Sequence, residues 1–387
     1  MSLAEPCEES KTGIKHVLGE PTLEGLSNYI KLHNIRKILC LVGAGVSVGA
    51  GIPDFRSDKV GIYSKLSKYN LKDPTEAFSL ALLREDPTIF YSIVSEMNLW
   101  PGSHKPTAVH HFIKLLADEG RLLRCCTQNV DGLEWSAGLP EELLVEAHGT
   151  FQTSSCIDCK QSFDTAELRR ENADGAVWHC PSCGGIIKPD IVFFGEQLPE
   201  RFFDVFTHDT KEADLVLIIG TSLEVRPFAL LPMYVRPSIP RVVFNLHRVG
   251  GRMFYLPEDD LRNERAQDWN SSFSSATGGM DNEDDDFVIG DTPNDGGDVD
   301  RQQGDYDHDR RALGERDPRD GDRDSVSSTS SSEGFIMDHQ EALRRPDVCR
   351  DLLIRGDCQK TITRFAEYLG LGESLRNALL RKNRSRF

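Results

Sequence analysis

Four cysteines carry the most specific chemical signal in the sequence. Cys156 and Cys159 are separated by two residues, as are Cys180 and Cys183, and twenty residues lie between the two pairs. Each pair can present two thiolates, and four thiolates together form a closed tetrahedral zinc site. Such a site has no open position for a reacting water. We therefore expect a structural zinc that holds its own module together and takes no part in catalysis.

A glycine-rich segment follows the apolar run from Ile38 to Val42, which is typical of a buried strand. Gly43, Ala44 and Gly45 would let the chain turn tightly beside a pyrophosphate. The spacing Gly-x-Gly-x-x-x-Gly departs from the dehydrogenase fingerprint, and the acidic residue which that fingerprint needs after a second strand is missing. Taken alone, the segment is either a nucleotide site or a purely structural turn.

Polar residues follow three further apolar runs that have the length of strands. These groups are Gln128, Asn129 and Asp131 after residues 122–126, then Gly220, Thr221 and Ser222 after residues 215–219, and Asn245 after residues 242–244. In an open parallel sheet, ligands bind beyond the carboxyl ends of the strands. An Asx-type turn is the alternative for the segment from Gln128 to Asp131. Several polar strand ends on one edge favour a long nucleotide as the ligand.

His148 is the candidate general base, because it lies in a loop and precedes Gly149. A lone histidine is more often a packed residue. We apply that interpretation to His110 and His111, which flank an apolar helical stripe, and expect at least one of them to be buried in a helix interface.

The alternation of apolar runs with helical stripes predicts an α/β fold, with a doubly wound parallel sheet of the Rossmann type and a smaller zinc-binding and helical domain inserted into it. The expected Rossmann-like nucleotide-binding domain comprises residues 21–57, 106–150, 188–257 and 346–372. The expected remainder is a flexible N-terminus (1–20), a helical insertion (58–105), a zinc-ribbon module (151–187), an acidic disordered insertion (258–345) and a basic C-terminal tail (373–387).

Charge is concentrated in one part of the chain. The 387 residues have a formal net charge of −17, and residues 258–345 alone hold 25 acidic against 10 basic residues, a net charge of −15. The rest is close to neutral, so no global charge steers the protein to nucleic acid or to an anionic membrane. The segment 258–345 has no lysine and few large apolar residues, which predicts disorder. The sequence predicts neither a membrane span nor a signal peptide.

Taken together, these motifs resemble the sirtuin family of NAD-dependent protein deacylases, and specifically its cytosolic sirtuin-two-like branch with trypanosomatid members. The matching residues follow the family's order over most of 20–257 and 347–372: they are Gly43–Ser47, Gly51–Arg56, Thr127–Asp131, His148–Gly149, the two cysteine pairs, Lys188–Glu196, Gly220–Leu223, Asn245 and Gly356–Cys358. The resemblance implies a deacetylase that transfers the acyl group of acyl-lysine to ADP-ribose and releases nicotinamide. It implies NAD as co-substrate and a structural zinc.

The resemblance also implies roles for individual residues. His148 would be the general base that draws a proton through the ribose hydroxyls, and Asn129 would orient the reacting ribose. Ile52 and Asp131 would hold the nicotinamide amide. The loop Pro53–Arg56 would exclude water from the reacting ribose by means of Phe55. The full set implied to contact NAD is Gly43, Ala44, Gly45, Val46, Ser47, Ile52, Asp54, Phe55, Arg56, Gln128, Asn129, Val130, Asp131, Gly220, Thr221, Ser222, Asn245, Leu246, His247 and Cys358.

The same resemblance implies that the substrate peptide binds as an added strand, so that its backbone is recognised more than its side chains. The residues on either side of it would be Val192, Phe193, Phe194, Gly195 and Glu196, with Glu224 and Val225 opposite. No Tyr-x-x-Arg follows Phe55, which favours neutral acyl groups. Asn245-Leu246-His247 stands where many members have Asn-Lys-Glu, a departure that could alter the contacts to the adenine ribose.

Two other functions remain open at this stage. Transfer of ADP-ribose to proteins would use the same site, and a zinc-ribbon adaptor that only senses NAD belongs to another class. The expected partners are acetylated proteins such as histones or tubulin, without direct nucleic-acid binding or a membrane. We expect a cytoplasmic location, while the basic tail from Arg381 to Arg386 is either a weak nuclear signal or a frayed end.

Overall fold

The computed structural model of the protein describes residues 15–54, 66–69, 71–98, 100–172, 175–251, 254 and 348–381. Its strands are β1 (Lys15–His16), β2 (Ile38–Val42), β3 (Leu122–Thr127), β4 (Leu144–Glu146), β5 (Gly149–Cys156), β6 (Ser162–Asp164), β7 (Ile187–Ile191), β8 (Leu215–Ile219), β9 (Arg241–Asn245), β10 (Val348–Cys349) and β11 (Asp351–Arg355). Its α-helices are α1 (Leu23–Leu32), α2 (Leu80–Glu85), α3 (Pro87–Met97), α4 (Ala108–Asp118), α5 (Leu133–Ser136), α6 (Thr165–Glu171), α7 (Glu200–Asp204), α8 (Thr210–Glu212), α9 (Leu231–Tyr234), α10 (Cys358–Leu369) and α11 (Gly372–Arg381).

The central sheet has six strands in the order β11-β9-β8-β2-β3-β4, and every neighbouring pair is parallel. Residues of β2 alternate between two apolar cores, with Ile38 and Cys40 in one and Leu39 and Leu41 in the other. Both faces are thus covered, as expected of strands that are continuous apolar runs. This arrangement confirms the predicted doubly wound parallel sheet.

The two insertions of the sequence share one hydrophobic core. The antiparallel sheet β6-β5-β7 packs with the helices α2 and α3 around buried aromatic rings. Trp100 stacks on Trp178 at 5.0 Å between ring centroids, and the Tyr91 hydroxyl donates a hydrogen bond of 2.5 Å to the Ile187 carbonyl. The described residues within 66–105 and 151–187 therefore contribute to a single smaller domain, as the predicted fold class requires.

The structure differs from the prediction at both ends of the chain. Residues 1–20 are expected to be flexible, yet β1 pairs in parallel with β10 and the His16 side chain is buried. Residues 373–387 are expected to be a tail, yet α11 continues to Arg381 and buries Leu375 completely. Long-range pairing and burial, which local sequence does not report, order the described parts of these segments, residues 15–20 and 373–381.

Strand β11 is missing from the sequence prediction, because a charged residue stands at each end of it. Asp351 is nevertheless buried, and both of its carboxylate oxygens accept hydrogen bonds of 2.7 Å from the Arg241 guanidinium on β9. These two parallel hydrogen bonds stabilise the ionised Asp351 in its buried position at the start of β11, the outermost strand of the sheet.

The predicted acidic insertion 258–345 lies outside the described residues. Among the helices that the structure describes, none combines the length and apolar character needed to cross a bilayer.

Candidate active site

Four strand ends come together at one edge of the central sheet. Val42 of β2 is in register with Thr127 of β3 and with Ile219 of β8, and Ile219 is in register with Phe244 of β9. The polar segments that follow these residues therefore begin at one level. This is the edge at which open parallel sheets bind nucleotides.

Three glycines let the loops after β2 and β8 interlock. A Cβ on Gly43 would lie 2.7 Å from the Thr221 Cβ, and one on Gly45 would lie 2.8 Å from the Gly220 Cα. Gly220 has a φ of +60°, and a Cβ there would lie 2.7 Å from the Val46 nitrogen. The spacing Gly-x-Gly is thus required by contact between two loops, which brings the backbone of both to the sheet edge.

A buried network of hydrogen bonds joins Ser47, Asn129 and Asp131. The Ser47 hydroxyl donates to Asp131 Oδ2 at 2.6 Å and accepts from Asn129 Nδ2 at 3.3 Å. Asn129 Nδ2 also donates to the Gly43 carbonyl at 3.1 Å, and the Leu133 N–H donates to Asp131 Oδ1 at 3.0 Å. The network fixes an amide and a carboxylate from the loop after β3 against the glycine turn after β2.

His148 lies between β4 and β5, and one hydrogen bond fixes its ring. Nδ1 is 3.0 Å from the carbonyl oxygen of Gln128, which can only accept, so Nδ1 carries the hydrogen and the neutral ring leaves Nε2 with a free lone pair. Burial lowers the pKa of His148 below its ordinary value, and the bond to the Gln128 carbonyl offsets only part of that effect. Around neutral pH the residue is therefore an unprotonated base.

Several residues that the resemblance assigns to NAD lie around the loops after β2 and β8. Gln128 Nε2 donates to Thr221 Oγ1 at 2.7 Å, and Asn245 Nδ2 donates to the Thr221 carbonyl at 3.3 Å. The Cys358 thiol, at the start of α10, donates to the Gly45 carbonyl at 3.3 Å. Residues far apart in sequence thus meet around Thr221.

The other residues implied to contact NAD are placed as follows. Val46 and Ile52 are buried, Ala44, Asp54 and Val130 are half-buried, and Ser222, Leu246 and His247 are exposed at the ends of β8 and β9. Phe55 and Arg56 lie outside the described residues.

The segment from Val192 to Glu196, assigned to the substrate peptide, follows β7 and is held by a partly buried ion pair. Lys188 Nζ lies 3.1 Å from Glu196 Oε2 and donates to the Ile191 carbonyl at 2.7 Å. The same Glu196 oxygen accepts from the Phe193 N–H at 2.7 Å. Phe194, between them, is half exposed, with 51% of its surface accessible. The pair orders the backbone while one aromatic side chain faces solvent.

Glu224 and Val225, assigned to the other side of the peptide, lie in the loop between β8 and the short helix Phe228–Leu230. Glu224 is exposed and Val225 is half-buried. Leu223 before them has a φ of +54°, and its N–H donates to Thr221 Oγ1 at 3.1 Å. The position of this loop therefore depends on the same threonine that the Gln128 amide contacts.

The four cysteines form one cluster in the smaller domain. One sulfur atom from each lies within 4.8 Å of the others, with 3.5 Å between the Sγ atoms of Cys156 and Cys183 and 3.6 Å between those of Cys159 and Cys180. Four thiol ligands at this separation fit a tetrahedral zinc, whose bonds to sulfur are about 2.3 Å long. The cluster fits the predicted structural zinc site.

The structure adds residues around the site that sequence reasoning missed. Gln359 of α10 donates from Nε2 to the Val46 carbonyl at 2.9 Å and accepts from the Val109 N–H through Oε1 at 3.2 Å. Thr107 also donates to the Val46 carbonyl at 2.9 Å, and Glu134 is buried directly behind Asp131. Of these three residues, only Glu134 stands out in the sequence, because a glutamate in a buried helical segment is rare.

The donor set at the sheet edge fits an NAD molecule. Glycine turns allow the backbone to approach a pyrophosphate, and the Ser47–Asn129–Asp131 network supplies polar groups for an amide and a ribose. His148 adds a base whose Nε2 is left available. Each of these groups lies at the end of a strand of the central sheet or in the turn that follows it.

Comparison with known proteins gives one answer. The sequence model of the Sir2 family matches residues 43–227. The NAD-dependent protein deacetylase SIR2rp1 of Leishmania major is 51% identical over 369 residues, which are 93% of this chain and 92% of the relative. The protein of the same name from Trypanosoma brucei brucei is 47% identical over 379 residues, 98% and 96% of the two chains.

A more distant relative, the NAD-dependent protein deacetylase sirtuin-2 of Danio rerio, is 45% identical over 240 residues, 62% of this chain and 63% of the relative. The parallel sheet, the four-cysteine cluster and these similarities agree, and the chain belongs to the Sir2 family.

Proposed function

We propose that the protein removes acetyl groups from lysine side chains of other proteins in an NAD-dependent reaction. The observation that carries this proposal is His148, a half-buried imidazole whose Nδ1 donates to the Gln128 carbonyl and whose Nε2 is thereby available to take a proton. The relatives in the Leishmania, trypanosome and zebrafish proteomes are all named NAD-dependent protein deacetylases, which supports the same activity.

NAD, when bound, supplies the activated ribose that accepts the acyl group as nicotinamide leaves. The chain's own residues bind and orient the reactants. The Asp131 carboxylate, fixed by Ser47 and the Leu133 N–H, would accept a hydrogen bond from the nicotinamide carboxamide. Asn129 and Gln128 are held in place by the Gly43 carbonyl and Thr221, so their remaining polar atoms can orient the ribose without reorganisation.

His148 supplies the acid–base chemistry. With NAD bound, Nε2 would accept a proton from a ribose hydroxyl, and the Gln128 carbonyl would stabilise the resulting imidazolium through Nδ1–H. The lowered pKa of the half-buried ring keeps it unprotonated before the step. General-base catalysis of this kind contributes about 10²- to 10⁴-fold.

The substrate is an acetylated protein segment that binds beside Val192–Glu196. A backbone ordered by the Lys188–Glu196 pair supports recognition by strand addition, which tolerates many side chains. Histones and tubulin are the substrates we would test first. The preferred acyl groups are neutral. The location we propose is the cytoplasm. Fluorescence microscopy of a tagged chain, with and without residues 381–387, checks this location.

The decisive experiment is mass spectrometry of an acetyl-lysine peptide incubated with the full chain, with and without NAD. We expect loss of acetyl and formation of O-acetyl-ADP-ribose only with NAD. His148→Ala should reduce the rate by at least about 10²-fold. The exposed residue His208 provides the matched control His208→Ala, which should act as the wild type does. ADP-ribose attached to protein, with the acetyl group intact, would favour the transferase activity instead.

A further inference from the structure

Glu134 is a buried carboxyl group with no role in the reaction described above. It lies in α5, three residues after Asp131, and only 1% of its surface is exposed. Neither of its carboxyl oxygens has a hydrogen-bond partner of normal distance and angle among the described residues. Burial without hydrogen bonds disfavours the ionised form of a carboxyl group. The question is therefore whether Glu134 is protonated at neutral pH.

The surroundings of Glu134 are acidic. One side-chain atom each from Glu134, Asp131 and His110 lie within 4.8 Å of one another. Glu146 on β4 and the Cys125 thiol on β3 also face Glu134, and His104 faces Asp131. Two carboxylates this close in a buried site do not both ionise at neutral pH, as in carboxyl pairs that share one proton.

Hydrogen-bond donors decide which carboxyl group keeps the charge. Asp131 accepts from the Ser47 hydroxyl at 2.6 Å and from the Leu133 N–H at 3.0 Å, and both bonds favour its ionised form. Glu134 has no comparable donor, and the nearby Thr127 hydroxyl offsets only part of the effect of burial. The proton of the pair therefore belongs on Glu134.

His110 cannot take over that proton easily. The N–H of Thr107, the residue before α4, lies 3.1 Å from His110 Nδ1 and donates to it. Nδ1 is therefore an acceptor, and the hydrogen of the neutral ring is on Nε2. With its hydrogen on Nε2, the neutral ring next to the two carboxyl groups complements one charged carboxylate, and no second proton is needed on the ring.

We propose that Glu134 is a positioning residue which holds a proton at neutral pH and so leaves Asp131 as the charged acceptor for the nicotinamide carboxamide. The role of Glu134 as a proton holder stands on the cluster alone, and its effect on nicotinamide rests on the function proposed above. Glu134 acts through Asp131 and does not contact the reacting atoms.

The pKa of Glu134 agrees with this geometry. Burial, followed by the charge of Asp131, raises the pKa of Glu134 to about 8. The group is thus neutral at pH 7 and ionises as the pH rises past 8, which places a second negative charge beside Asp131. Nicotinamide bound against the cluster excludes water and favours the protonated form. The affinity of the protein for nicotinamide should therefore fall as Glu134 ionises.

Infrared difference spectroscopy of the full chain tests the proton directly, without NAD or activity. Between pH 6.5 and 9.5 the wild type should lose a carboxylic-acid C=O band with a midpoint near pH 8, and Glu134→Gln should lack this band. Glu142→Gln removes an exposed carboxyl nearby and should leave it unchanged. Absence of the band from the wild type would overturn the proposal, and so would its persistence in Glu134→Gln. The wild-type measurement remains a test even if the variant folds poorly.

Nicotinamide inhibition tests the consequence. From pH 7 to pH 9 the nicotinamide inhibition constant of the wild type should rise by about tenfold, because only the pH unit above the pKa of about 8 contributes a factor of ten for one proton. In Glu134→Gln the rise should be less than about twofold. Equal pH dependence in both proteins would refute a role for Glu134 at the nicotinamide site. If the infrared band is present but the chain shows no deacetylation, the proposed function fails while the proton assignment stands.

Discussion

The sheet edge and the cysteine cluster both hold polar atoms within a few ångströms of one another, but by different means. At the sheet edge, Ser47, Asn129 and Asp131 are fixed by hydrogen bonds to one another and to the backbone, on a sheet with apolar cores on both faces. In the smaller domain, four sulfur atoms meet at positions that suit a metal ion. The fold alone therefore builds the nucleotide site, whereas the zinc site depends on an added ligand.

The largest effect we expect is loss of the zinc site. Cys180→Ser removes one of four ligands and should abolish stoichiometric zinc, measured by atomic emission, and lower the melting temperature by roughly 10 °C or more. Cys358→Ser, in the nucleotide site, should keep the zinc because its thiol contacts the Gly45 carbonyl. A Cys180→Ser protein with full zinc content and normal stability would contradict the conclusion that the cysteine cluster depends on a bound metal.

The next largest effect concerns the charge at the sheet edge. Asp131→Asn removes a charged acceptor and should raise the KM for NAD by about 10- to 100-fold, since hydrogen bonds to charged groups contribute about 1.5–3 kcal/mol. Zinc content should not change. Asp118→Asn, at an exposed position in an ion pair with Lys114, is the matched control and should leave the KM unchanged.

A third prediction separates the peptide site from the nucleotide site. Lys188→Met leaves the half-buried Glu196 without its cation and frees the backbone after β7. We expect the peptide KM to rise by about tenfold and the NAD KM to stay within about twofold. The double variant Lys188→Met with Glu196→Gln should recover part of the loss. Equal effects on both substrates would show that the pair supports the whole domain instead.

The smallest effect is a displacement of a pH profile. Because burial lowers the pKa of His148 below 6.5, the base stays unprotonated at pH 6.5 and is lost only as the pH falls through its lower pKa. The acidic limb of kcat/KM should therefore have its midpoint below pH 6.5. A midpoint at or above that value would place the limb on another group, or would show that His148 is more exposed to water than the structure has it.

Much of the fold is readable from local sequence. The apolar runs at β2 and β8 match the observed strands residue for residue, since strands covered on both faces must be continuously apolar. The cysteine spacing likewise indicated a metal cluster, because ligand pairs leave a regular pattern. Strand β11 left no such signal, because its buried Asp351 is stabilised by Arg241, 110 residues earlier in the chain.

The sequence by itself determined the parallel sheet, the four zinc ligands and the candidate base, because each depends on residue type at short spacing. Only the tertiary structure decided which atoms are available. It placed the hydrogen of His148 on Nδ1 through the Gln128 carbonyl, and it buried Glu134 beside Asp131. Protonation depends on burial and on partners from other strands and helices, which are set by how the chain packs and not by the order of its residues.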